Sequence, residues 1–110
     1  GAYDWWNDKS ADTWVKRFGK KIVQLAESKR VNAENSYVFY KQMCPCVGPF
    51  YDSIRICDIV SGNVLFCISH LKKGCYGEDF SGWEICSFTD TATEESRVKT
   101  WREVVKYFNE

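Results

Sequence analysis

Ser53-Ile54-Arg55-Ile56-Cys57-Asp58-Ile59-Val60, then Ser61-Gly62-Asn63, then Val64-Leu65-Phe66-Cys67-Ile68-Ser69-His70 is the stretch whose reading decides the fold. Two runs rich in β-branched residues, Ser53–Val60 and Asn63–His70, flank small turn-forming residues, the pattern of an antiparallel hairpin. With Ser61-Gly62-Asn63 as the loop, Val60 faces Val64, and counting outward sets Cys57 opposite Cys67. Ile54, Ile56 and Val60 then share a face with Val64, Phe66 and Ile68, and Asp58 is the one misfit. That register predicts a Cys57–Cys67 disulfide. A loop shorter by one residue would shift the register and break it, leaving bonds to the Cys44/Cys46 loop or the Cys75–Cys86 segment.

Strands extend to either side. Ser36–Met43, with Tyr37, Val38, Phe39 and Tyr40, is strongly β-prone, and Gly82–Thr89 offers a fourth strand around Trp83, Ile85 and Phe88. Cys44-Pro45-Cys46-Val47-Gly48-Pro49 holds both prolines of the chain and reads as loop. The glycines of Lys72–Ser81 mark another. Before the strands, residues 10–30 predict a helix, capped by Ser10 with Asp12 in its first turn. Trp14, Phe18, Ile22 and Leu25 form its apolar stripe, widened by Val15 and Ala26. After the strands, residues 91–108 predict a second helix, opened by a Thr91/Glu94 capping box and striped by Val98, Trp101, Val104, Val105 and Phe108. The expected fold is therefore α+β: an antiparallel sheet of three to four strands flanked by an N-terminal and a C-terminal amphipathic helix. Both helices cover one face of it, and disulfides staple it.

The 110 residues fit one domain, 1–110. No segment approaches the roughly 20 apolar residues of a membrane span. Aromatics make up 16% of the chain, which suits a sheet-containing domain better than a helix bundle. The Trp5/Trp6 pair reads as core packing rather than an exposed patch. Six cysteines, Cys44, Cys46, Cys57, Cys67, Cys75 and Cys86, all lie between residues 44 and 86. Their even number favours a disulfide framework, and with it a secreted, extracellular protein whose leader has been removed. Zinc fits less well, because Cys44-Pro45-Cys46 is too tightly spaced for a ligand pair and His70 is the lone histidine. No metal or cofactor is expected.

Zero net charge argues against a nucleic-acid binder. The charges are nonetheless segregated. Between Thr13 and Arg30 stand six bases and one acid, and between Tyr76 and Ser96 six acids and no base. Lys16, Arg17, Lys20 and Lys21 make a cationic patch, either a plain solvated face or a site for an anionic partner such as a glycosaminoglycan, an acidic protein surface or a lipid headgroup. Glu78, Asp79 and Trp83 mark a candidate protein-binding loop between Cys75 and Cys86. Trp83 anchors it if exposed and belongs to the core if buried.

Catalysis finds little support. Ser69 and His70 are adjacent on one strand and so point to opposite faces. A His70, Glu84 and Arg55 arrangement is conceivable across a sheet, but no phosphate loop, nucleophile elbow or metal-carboxylate motif is present.

Two families share parts of this plan. Ser87-Phe88-Thr89-Asp90-Thr91-Ala92-Thr93-Glu94-Glu95-Ser96-Arg97 resembles the strand-to-helix junction of the crustacean anti-lipopolysaccharide factors, which have a helix, sheet, helix order and a basic hairpin that binds lipid A. Here the corresponding region has only Arg55, Lys72 and Lys73 as bases. The Cys44-x-Cys46 pair and a final helix bearing Trp101 are similar to the plan of the CXC chemokines, which lack a helix before the pair. The expectation is a monomeric, non-enzymatic secreted protein. It engages an extracellular protein or glycosaminoglycan as an inhibitor or immune-modulating effector. A host-defence, lipopolysaccharide-binding role and a chemokine-like signalling role are the alternatives these resemblances imply.

Overall fold

The computed structural model describes residues 13–41, 50–73 and 79–110. Helix α1 spans Thr13–Lys29, strands β1 to β5 span Ala33–Lys41, Phe50–Asp58, Val64–Leu71, Gly82–Phe88 and Thr93–Val98, and helix α2 spans Trp101–Asn109. The five strands form one antiparallel meander in the order β1-β2-β3-β4-β5, as expected when each strand follows the last through a short connection. The expectations on Ser10, Asp12, Trp5, Trp6, Cys44, Cys46, Cys75 and Glu78 fall outside the described residues.

One face of the sheet makes the core. Ile54, Ile68 and Ile85 stand in one row across β2, β3 and β4, and Ile56 stands opposite Phe66. All five are at most 1% exposed. From α1 come Trp14, Val15, Ile22, Val23 and Ala26, and from α2 come Val104 and Phe108. Phe18 and Leu25, expected on the buried stripe, are only partly buried. Phe18 leans toward α2, with its ring 4.8 Å from that of Trp101.

The β2–β3 hairpin departs from the expected register. Cys57 stands opposite Val64 and Arg55 opposite Cys67, with a bulge between. The cause is Asp58, whose carboxylate accepts from the Val60 and Ser61 amides at 2.9 Å each. These bonds hold the carboxyl below its ordinary value, the Ser61 amide contributing most. Its backbone carbonyl accepts from Gly62 N–H at 2.8 Å. Asp58 thus initiates an Asx-type turn and moves Ile59 and Val60 out of the strand. Val60 is 86% exposed instead of facing Val64. Gly62, at φ 76°, supplies the left-handed residue.

A second departure lies at residues 91–98. The expected first half of the C-terminal helix is strand β5, and the Thr91/Glu94 capping box does not form. Thr89 N–H donates to Ala92 O at 2.8 Å, and Ala92 N–H to Thr89 Oγ1 at 3.1 Å, which turns the chain back on itself. Glu94 and Glu95 then become edge-strand residues opposite Ser87 and Cys86, where charges discourage further strand pairing. The helix begins one Thr-x-x-Glu motif later. Glu103 N–H donates to Thr100 Oγ1 at 3.3 Å, and Thr100 Oγ1 donates to Glu103 Oε1 at 3.0 Å.

Candidate functional site

The helices present the basic face. Lys16 and Lys20 form one i, i+4 row along α1, and Arg17 and Lys21 the next. All four are exposed. Helix α2 runs alongside α1 in the same direction: Phe18 meets Trp101 near one end, and Lys29 Nζ donates to the Glu110 carbonyl at 2.7 Å at the other. Between them lies a cleft of about 290 Å³ lined by Lys21, Gln24, Leu25, Trp101 and Val105. Arg102 and Lys106, both exposed, form an i, i+4 row on α2 next to the Trp101/Val105 row. The cationic patch read from α1 is thus continued on α2, a signal that a residue-by-residue reading of one helix does not contain. Each helix also carries one acid, and each acid has a partner of its own. Glu27 accepts from Asn35 Nδ2 at 3.1 Å, toward β1. Glu103 is engaged in the α2 cap.

Trp83 belongs to the core and not to a binding loop. It sits in β4, 3% exposed, with its ring 5.7 Å from Trp14, 5.2 Å from Phe18 and 5.6 Å from Trp101. β4 starts at Gly82, so the loop ends just before the indole. Asp79 is exposed and pairs with Lys73 at 3.2 Å, a contact that solvent screens to little net stabilisation. Gly82 makes that strand start possible, since a Cβ there would lie 2.5 Å from the Val98 carbonyl oxygen.

His70 lies on the core face opposite Trp83, with the two rings 4.4 Å apart. Trp14 is 6.3 Å away. Burial, with a smaller contribution from Lys72, holds the imidazole below its ordinary value. Ser69, Arg55 and Glu84 all project to the other face, since each stands beside a core-face residue in its strand. The sheet therefore separates His70 from Ser69, Arg55 and Glu84.

That other face carries the described cysteines. Arg55, Cys67, Cys86 and Glu95 form one row across β2 to β5, and Cys57 stands two residues from Arg55. Cys57, Cys67 and Cys86 are free thiols here. Burial pushes the Cys67 thiol up, against a hydrogen bond with Ser53. Burial, then the Glu84 carboxylate, pushes Cys86 up to about 11. Such thiols are almost wholly protonated at neutral pH and make poor nucleophiles. Glu84 itself is raised by burial and by its hydrogen bond with Glu95, which Arg97 opposes from 3.0 Å.

The ladder also sets what these thiols can bond to. Hydrogen-bonded and non-hydrogen-bonded pairs alternate along an antiparallel ladder. Counting from the bonded Thr89/Ala92 pair makes Cys86/Glu95 a non-hydrogen-bonded pair, so the Cys86 amide and carbonyl point to β3. Cys67/Cys86 is then a hydrogen-bonded pair, whose Cβ atoms sit toward the wide end of the roughly 4.5–5.5 Å range. A disulfide prefers about 3.8 Å. Cys57 stands opposite Val64, across the bulge from the Arg55/Cys67 pair, so it does not face Cys67.

No helix among the described residues is long and apolar enough to cross a membrane. Among those residues no cluster of three or more His, Cys, Asp or Glu is arranged to hold a metal ion. No protein-family model, no curated protein and no solved structure matches the chain.

Proposed function

We propose that the protein is a secreted, disulfide-bonded, non-enzymatic binding domain that engages an anionic extracellular macromolecule through its helical face, as an inhibitor or immune-modulating effector. The observation that carries this reading is the continuity of the basic rows. Lys16, Arg17, Lys20 and Lys21 on α1 are joined by Arg102 and Lys106 on α2, all of them exposed. Clustered charge of one sign on a rigid support steers an oppositely charged partner and raises its association rate. One further observation supports the non-enzymatic part: His70 is parted from Ser69, Glu84 and Arg55 by the sheet. The secreted part rests on the six cysteines.

The test is charge reversal. A Lys20→Glu/Lys21→Glu protein should lose most of its retention on a heparin or polyglutamate column, and the remaining retention should depend less on salt. Both positions are exposed, so thermal stability should shift little. Unchanged retention would return the patch to a solvated surface.

A further inference from the structure

We infer that the cleft between α1 and α2 is a docking site for an acidic segment of a partner protein, anchored by one large apolar side chain. This rests on the helical face being an anion-binding surface and names the class of anion.

The floor and the rim of the cleft call for different chemistry in one ligand. Leu25, Trp101 and Val105 line it and are half-buried, so part of their apolar surface still meets water. Covering such surface is favourable because it removes apolar area from water. The rim is cationic on both sides. Lys21 lines the cleft from α1, and Arg17 precedes it by one helical turn. Arg102 and Lys106 flank the Trp101/Val105 row on α2. Trp101 is held from behind by Phe18 and by Trp83, at ring separations of 4.8 and 5.6 Å. It therefore meets a ligand pre-ordered, at little entropic cost.

At about 290 Å³ the cleft is at the small end of ligand pockets, room for one anchoring side chain rather than a whole small ligand. A sulfated polysaccharide can satisfy the rim but brings no apolar side chain to the floor. A peptide segment with Asp or Glu on both sides of a Phe, Trp or Leu satisfies both. This is the anchor-and-rim pattern of protein interfaces, where a central apolar contact supplies most of the energy and surrounding charges set register.

The experiment pans a library of random 12-residue peptides, displayed on phage, against the full oxidised chain. The enriched peptides are synthesised and titrated against three proteins: the parent, a Lys21→Glu/Arg102→Glu variant and a Gln24→Trp variant. Position 24 is exposed, so the introduced indole can lie across the cleft without disturbing the core. The expected result is a set of acidic peptides centred on one apolar residue. Their binding weakens by roughly tenfold or more in both variants and is lost when the anchor is changed to Ala. Acidic peptides that bind the Gln24→Trp protein as well as the parent would overturn the docking cleft and leave the anionic face standing. Enriched peptides without acidic bias, unaffected by charge reversal, or no enrichment at all, would overturn both.

Discussion

The two faces of the sheet are built from the same strands and have opposite characters. On the core face, Ile54, Ile68 and Ile85 stand in a single row, sealed by side chains from both helices. On the other, the neighbouring row is Arg55, Cys67, Cys86 and Glu95. That second face is nevertheless no ordinary wet surface. Ser53 and Ser69 on it are 1% exposed, and the three thiols are only partly exposed. The strands alternate apolar and polar residues as a half-buried sheet does, yet the second face is shielded around Ser53 and Ser69 and open at Glu95 and Arg97. One face is held by apolar packing. The other carries three cysteines, so the two faces call for different tests.

The largest effect expected from this comparison is covalent. In the oxidised protein, peptide mapping without reductant should find no bond joining any two of Cys57, Cys67 and Cys86. Each should instead be linked to one of Cys44, Cys46 and Cys75. Loss of a native disulfide from a small secreted domain costs about 2–5 kcal/mol, so full reduction should lower the thermal midpoint by tens of degrees, or unfold the domain outright. A Cys67–Cys86 peptide would refute the ladder count, and a stoichiometric free thiol would refute the framework itself.

Next comes the apolar face. Ile68 is fully buried between Ile54 and Ile85, so Ile68→Ala should cost about 2–5 kcal/mol, read as a fall in the urea midpoint at constant slope. The same truncation at Val60, 86% exposed, should change stability by less than about 0.5 kcal/mol. Equal losses at the two positions would mean that Val60 faces the core, as a three-residue hairpin loop requires.

Much of the apolar face is legible in the sequence. The Trp14-to-Ala26 stripe, the β-prone runs and Trp83 among strand residues lead to α1, to β2, β3 and β4, and to both helices serving one core. What fails is local and rests on polar side chains whose bonding the pattern does not display. Asp58 looks like a misfit on a strand and is in fact the acceptor that ends it. Thr91-x-x-Glu94 and Thr100-x-x-Glu103 are equivalent as motifs. The Thr89/Ala92 turn makes the first a strand edge, and only the second caps a helix. The basic patch was readable from α1, but its continuation on α2 depends on two helices lying side by side, which no single stretch encodes.

The choice between those two motifs gives a smaller prediction. Thr100→Ala should destabilise the protein by about 1 kcal/mol through loss of the α2 cap. Thr91→Ala, with no part in the Thr89/Ala92 bonds, should be close to neutral in the same urea titration.

The smallest expected effect is the pH response of the core face, and it has a definite sign. His70 is the titratable group packed against Trp83 and Trp14, and burial holds its folded-state value below the ordinary 6.5. The unfolded chain therefore binds the His70 proton more readily than the folded one. Wherever the unfolded state carries more bound protons, stability rises with pH. The contribution of His70 is then fully present above about pH 6.5 and is lost as the pH falls below it, until the folded-state imidazole is itself protonated. The Glu84 carboxyl, raised above its ordinary value by burial, also titrates on the acid side, so the His70 component must be isolated by difference. Thermal midpoints of the parent and of His70→Gln, measured at half-unit steps from pH 5 to 8, provide that difference. The substituted protein should show a flatter profile between pH 5 and 6.5 and a parallel one above pH 7. Trp fluorescence followed in the same titration should report the change, because the imidazole lies against Trp83. A parent profile that steepens instead between pH 7 and 8, or a His70→Gln profile identical to the parent below pH 6.5, would show that the ring is not held neutral by the aromatic cluster.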